Sequence, residues 1–97
     1  MIVNFRDAGT EDLFLGRNTR AAGKICPERI WKVARRKLDQ IEFATRLDTL
    51  AIPGSNRLEA LKGDRRGEYS IRINDQYRVC FRWTEQGAED VEIVDYH

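Results

Sequence analysis

Asp95, Tyr96 and His97 stand together at the end of the sequence, three side chains able to move a proton or lie against a base, and His97 is the chain's only histidine. Upstream, Lys62, Arg65 and Arg66 in the run Leu61-Lys62-Gly63-Asp64-Arg65-Arg66-Gly67 supply cations, as do Arg72, Arg78 and Arg82 in the alternating stretch that follows. A guanidinium fork makes paired, charge-assisted hydrogen bonds to phosphate, so a polyanion is the natural ligand if folding gathers these groups. One histidine and two isolated cysteines, Cys26 and Cys80, give no metal-ligand spacing, and the cysteines read as free buried thiols. Gly63 and Gly67 stand too far from any strand-to-helix junction to form a nucleotide-binding loop. No metal and no cofactor are expected.

The elements that must position these groups belong to a small protein. Ninety-seven residues, 41% hydrophobic and 34% charged, suit one folded domain over residues 1–97 with a single core. Net charge is only +1, yet it is unevenly spread: Arg57 to Arg82 holds seven basic and four acidic residues, whereas Trp83 to His97 holds five acids and no Lys or Arg. The N-terminus lacks a basic segment followed by a long apolar one, and no run approaches the ~20 apolar residues of a membrane span. A reducing cytoplasmic location without membrane contact is expected.

Ile2 to Phe5 suits a first strand, ended by the turn residues Asp7-Ala8-Gly9. Thr10 is placed to cap a helix with Glu11 and Asp12 in its first turn, and Gly16 to Gly23 reads as its frayed end and a connector. Pro27 fits the first turn of a longer helix, in which Ile30, Val33, Ala34, Leu38 and Ile41 recur at intervals of three and four and define an apolar face. Arg29, Lys32 and Arg36 oppose it, with Arg35 and Lys37 beside them, as a solvated stripe or a surface for an acidic protein or RNA. Pro53-Gly54 ends the helical region.

The hydrophobic period then changes to two. Tyr69, Ile71 and Ile73 alternate with polar neighbours, as do Tyr77, Val79, Phe81 and Trp83. Joining the strands through Asn74-Asp75-Gln76 pairs Ile73 with Tyr77, Ile71 with Val79 and Tyr69 with Phe81, which puts every apolar side chain on one face. The same register sets Arg72 opposite Arg78, a like-charge pair that costs from a few tenths to ~1 kcal/mol. Something anionic belongs there, either Glu92 or Asp95 of a last strand, Val91 to Tyr96, or a bound phosphate. The whole reads as an α+β fold: two helices from the N-terminal half packed on a small twisted antiparallel sheet.

The segments Asn56-Arg57-Leu58-Glu59-Ala60-Leu61-Lys62-Gly63-Asp64, Tyr69 to Phe81 and Val91-Glu92-Ile93-Val94-Asp95-Tyr96-His97 together resemble HigB-type toxins of the RelE/ParE superfamily, the host-inhibition proteins of bacterial toxin–antitoxin modules. The resemblance spans essentially the whole chain. It implies a RelE-like fold, ribosome-dependent cleavage of mRNA in the A site without metal, and arrest of translation and growth. It also implies neutralisation by a HigA-type antitoxin with a helix-turn-helix domain, operator DNA being reached only through that antitoxin. Carried over by motif, Lys62, Arg78, Asp95, Tyr96 and His97 match positions tied to catalysis or RNA contact. Glu59 stands where some relatives have histidine. Arg65, Arg66, Arg72 and Arg82 are the further candidates for holding RNA.

Such cleavage needs the ribose 2′-hydroxyl deprotonated, the phosphorane charge stabilised and the leaving 5′-oxygen protonated. One histidine cannot serve as both acid and base in a two-histidine scheme. The expectation is that Arg78 and Lys62 hold the phosphate, Asp95 or Glu59 assists the 2′-hydroxyl, and Tyr96 or His97 orients a base or donates the proton. Two rivals share the fold: a ParE-like toxin that acts on DNA gyrase by protein contacts, and a degenerate toxin that only binds an antitoxin. Interference with ribosome assembly is a further possibility that no residue marks.

Overall fold

The switch of hydrophobic period near residue 60 divides the molecule into a helical half and a sheet. The computed structural model describes residues 1–96, so His97 lies outside the described residues. Helix α1 is Ala8–Phe14, α2 is Arg20–Ile25 and α3 is Trp31–Phe43; strands β1 Glu59–Ala60, β2 Glu68–Arg72, β3 Tyr77–Thr84 and β4 Gly87–Asp95 follow. The sheet is an antiparallel meander in the order β1-β2-β3-β4. This is the expected α+β arrangement, with helices in the N-terminal half.

Several local expectations are corrected. Asp7, not Thr10, caps α1: its carboxylate accepts from Thr10 N at 2.6 Å and from Thr10 Oγ1 at 3.0 Å. Thr10 is fully buried, and its hydroxyl accepts from Ile93 N at 3.1 Å, so the cap also ties α1 to β4. The expected connector contains α2. Thr19 Oγ1 accepts from Ala22 N at 3.1 Å and donates to Asp12 Oδ2 at 2.6 Å, giving this six-residue helix an N-terminal cap that periodicity cannot register. Gly9 is needed where α1 meets α2, because a Cβ there would lie 2.2 Å from Ile25 Cγ1 and 2.5 Å from the Ala21 carbonyl oxygen.

Helix α3 buries the expected face, with Ile30, Ala34, Leu38 and Ile41 inside and Val33 partly so. It stops at Phe43 rather than reaching Pro53, and 3-10 turns at Leu47–Ala51 and Gly54–Asn56 carry the chain to β1. Lys37 does not join the solvated stripe. It is buried, because spacings of three from Ala34 and four to Ile41 place it on the margin of the core face.

The β2–β3 register is the expected one: Tyr69 faces Phe81, Ile71 faces Val79 and Arg72 faces Arg78, with Ile73 N donating to Tyr77 O at 2.9 Å. Asn74 Oδ1 fixes the loop by accepting from Gln76 N at 2.9 Å and Tyr77 N at 2.8 Å. Strand β4 begins earlier than Val91, and residues 1–6 run parallel along its outer edge through bridges at Ile2–Ala88 and Phe5–Val91. Gly87 permits this approach, since a Cβ there would sit 2.1 Å from the Met1 carbonyl oxygen.

Leu13, Leu38, Ile41, Ile71, Val79, Phe81 and Val91 form the fully buried centre between helices and sheet. The opposite face of the sheet is also largely covered: Glu68, Ser70, Arg78 and Cys80 are buried, with Leu61 beside them. Removing the Asp7 cap leaves two buried partners unsatisfied, so Asp7→Ala is expected to cost about 1–2 kcal/mol, the upper half of the usual cap range. Urea unfolding checks this, and a loss below ~0.5 kcal/mol would show that the Thr10 link to β4 does not depend on Asp7.

Candidate active site around Arg78

Arg78 lies in β3 on the face away from the helices, where alternation predicts solvent, yet only 7% of it is exposed. Withdrawing a guanidinium from water costs on the order of several kcal/mol unless its donors find acceptors. Nη2 donates to the main-chain oxygen of Arg57 at 2.6 Å, and Nη1 pairs with Glu59 Oε1 at 3.3 Å. The Tyr96 ring lies with its centroid 5.3 Å from Cζ, a cation–π contact worth roughly 0.5–2 kcal/mol. Nε has no hydrogen-bond partner among the described residues.

Four parts of the chain meet here. Glu59 arrives because β1 pairs with β2 at Ser70, next to the Arg72–Arg78 rung. Arg57 adopts the left-handed conformation, φ 47° and ψ 57°, at the end of a 3-10 turn. Tyr96 is anchored by the hairpin loop: its N–H donates to Gln76 O at 2.6 Å, and Gln76 Nε2 donates to Asp95 Oδ2 at 3.0 Å. Glu59 is 51% exposed and Tyr96 41% exposed, so the outer side of the guanidinium is closed by groups that water already reaches.

The like-charge rung is resolved internally by separate carboxylates. Arg72 pairs with Asp75 of its own loop while Arg78 takes Glu59. Glu92 is occupied elsewhere, accepting from Arg6 Nη1 at 2.5 Å and Arg65 Nη1 at 3.0 Å. Arg65 also bonds the buried Glu68 at 3.1 Å, and Arg82 lies 3.5 Å from Asp90 and 4.0 Å from Glu68. Arg65, Arg82 and Arg6 thus form a second, neutralised cluster.

The structure therefore brings Arg78, Glu59 and Tyr96 together, with Asp95 adjacent along β4. Lys62 and Arg66 are exposed on the turn flanking Gly63–Arg65. Because Leu61 N donates to Glu68 O, and Glu68 faces Arg82, that turn stands at the Arg82 end of the sheet rather than the Arg78 end. Sequence reading missed Arg57, whose contribution is a backbone carbonyl, and the buried Asn56 before it. Lys37 Nζ donates to Asn56 Oδ1 at 2.6 Å. The only available signal was Lys37's own spacing on α3.

The family model described as the RelE-like toxin of type II toxin–antitoxin system HigB matches residues 3–97. The chain is 33% identical over 85 residues to Toxin HigB-1 of Vibrio cholerae serotype O1, covering 88% of this chain and 86% of that one. It is 39% identical over 57 residues to an uncharacterized protein of Haemophilus influenzae, covering 59% of this chain and 56% of that one.

Among the described residues no cluster of three or more His, Cys, Asp or Glu side chains is arranged to hold a metal ion. Cys80 lies on the Arg78 face of the sheet, and burial pushes its thiol up to about 11, as it does that of Cys26. Both are therefore neutral and inaccessible near pH 8, and neither suits nucleophilic work. Ellman titration at pH 8 should find no fast-reacting thiol in the folded protein and two after denaturation. A fast-reacting Cys80 in the native state would contradict the closed packing on this face.

Proposed function

The chain belongs to the HigB-like family of RelE-like toxins and is a toxin of a type II toxin–antitoxin module; from this we propose that it is a metal-independent endoribonuclease that cleaves mRNA on the ribosome. The observation that supports the reading is Arg78, a buried guanidinium whose outer partner, Glu59, is half exposed. Glu59 can turn out to water, and a phosphate oxygen that takes its place leaves the buried guanidinium paired and gains the stronger charge-assisted contact.

In the proposed reaction the ribose 2′-oxygen attacks the adjacent phosphorus and the bond from phosphorus to the 5′-oxygen breaks. Products are a 2′,3′-cyclic phosphate and a free 5′-hydroxyl. Arg78 stabilises charge on the non-bridging oxygens, Asp95 or Glu59 accepts the 2′-proton, and Tyr96 or His97 orients a base or returns a proton to the leaving oxygen. Lys62 and Arg66, exposed at the far end of the sheet, contact the RNA backbone beyond the scissile position. Arg65, Arg72 and Arg82 contribute to RNA binding only by exchanging their present carboxylate partners. A site this sparse depends on the ribosome to hold the 2′-oxygen in line, an arrangement worth ~7–11 kcal/mol of barrier.

The proposed setting is the cytoplasm. No described helix is long and apolar enough to cross a membrane. A HigA-type helix-turn-helix antitoxin is the proposed neutralising partner and the route to operator DNA. One observation favours a second reading, a non-catalytic antitoxin-binding module: Arg78 already has acceptors for both Nη groups and so can serve the fold alone.

Purified protein added to translating ribosomes should produce new 5′-hydroxyl ends within the reading frame while the same mRNA without ribosomes stays intact. Equal cleavage of both would overturn ribosome dependence. Absence of cleavage together with growth arrest would overturn the nuclease reading, and a DNA supercoiling assay would then test gyrase as target.

A further inference from the structure

Arg78 is aimed by a main-chain atom, and that atom is held by a buried side-chain network two elements away. Arg57 presents its carbonyl from a left-handed conformation that residues with a Cβ leave unless neighbouring contacts hold them. Its own N–H is committed to Gly54 O at 3.1 Å, and the preceding Asn56 N–H to Pro53 O at 3.0 Å. The Asn56 side chain is 0% exposed. Its Nδ2 donates to Gln40 Oε1 at 2.9 Å and to Leu50 O at 3.1 Å, while its Oδ1 accepts from Lys37 at 2.6 Å.

The choice of lysine at position 37 is the informative part. It is 8% exposed, and among the described residues no carboxylate lies within ion-pair distance of its ammonium, whose only hydrogen-bond acceptor is a neutral amide oxygen. Burial, then the nearby Arg36 and Arg72, push its pKa below the ordinary lysine value, so the charge is held at a cost. An apolar residue would fill that margin of α3 without the cost. What lysine adds is direction: an ammonium only donates, so Asn56 must turn its oxygen toward Lys37 and its NH₂ toward Gln40, one turn further along α3, and Leu50. One orientation of the amide then fixes one path for the Pro53–Arg57 backbone.

We infer that Lys37 and Asn56 are positioning residues for Arg78, acting through the Arg57 carbonyl to hold the guanidinium in register with its ligand. This rests on Arg78 being the phosphate-binding group, and the experiment separates the two ideas. The first readout is the Arg78 Nε–H NMR signal, identified by its loss in Arg78→Lys. A buried, unpartnered N–H in a fixed side chain gives a distinct, slowly exchanging resonance. The second is kcat and KM for cleavage on programmed ribosomes.

Asn56→Asp keeps the shape and the Lys37 contact but loses the donors to Leu50 and Gln40. Lys37→Met removes the directing donor. Arg57→Gly reaches the left-handed conformation without strain but is equally free to leave it, so it loosens the carbonyl without removing a buried group and guards against misfolding of the other two. Leu13→Ala, in α1, lowers the thermal midpoint without touching the network. The three network variants should make the Arg78 Nε–H exchange at least ~10-fold faster and lower kcat by ~10–100-fold with KM nearly unchanged. Leu13→Ala should do neither. An unchanged Arg78 signal in all three network variants overturns the positioning role whatever the activity. A loosened signal with unchanged kcat leaves positioning intact and overturns Arg78 as the group that carries the chemistry.

Discussion

A guanidinium taken out of water is the constraint around which this fold is arranged. Arg78 must find acceptors within the protein, and those available come from separate segments: a carbonyl from the loop before β1, a carboxylate from β1, and an aromatic ring from the residue after β4. None would converge unless the sheet were complete and the loop from α3 to β1 were pinned. The two-residue strand β1, negligible as a source of ladder hydrogen bonds, matters because it delivers Glu59.

The sheet solves a related problem on the same face. Its register sets two arginines directly opposite each other, a pairing that is unfavourable unless each has its own counter-charge. Asp75 and Glu59 provide these, and Arg6, Arg65 and Arg82 are similarly matched by Glu68, Asp90 and Glu92. The face that simple alternation assigns to solvent is in effect a second, charged core. The basic segment of the sequence is therefore far less cationic in space than its composition suggests. Exposed cations without ion-pair partners among the described residues lie instead on α2 at Arg20 and Lys24, on the 3-10 turn before α3 at Arg29, on α3 at Lys32 and Arg36, at Arg57, and on the turn at Lys62 and Arg66.

Much of this was readable from residue types. The hairpin register followed from period two and the three-residue loop Asn74-Asp75-Gln76, and the structure adds that the Asn74 side chain satisfies that loop. The core face of α3 followed from its three-and-four spacing. Helix α2 was hidden because six residues are too few to show a period, and its signal is one capping threonine and its partner Asp12. Lys37 was misplaced because charge was given more weight than spacing. The Arg57 contribution was invisible in principle, since a carbonyl belongs to every residue and only the backbone path makes one special. Within the site, sequence pointed to Arg78, Glu59 and Tyr96 as candidates, and the fold brings these three into contact. It places Lys62 at the other end of the sheet, and His97 lies outside the described residues.

The most direct measurement is single-turnover cleavage of mRNA on programmed ribosomes by Arg78→Lys and Arg78→Ala, with ribosome binding measured in parallel. If Arg78 holds the scissile phosphate through its planar fork, both variants should bind ribosomes and cleave at least ~100-fold more slowly, lysine failing because it retains the charge without the paired geometry. Cleavage at the unsubstituted rate by either variant would contradict the assignment of this buried guanidinium to the reaction.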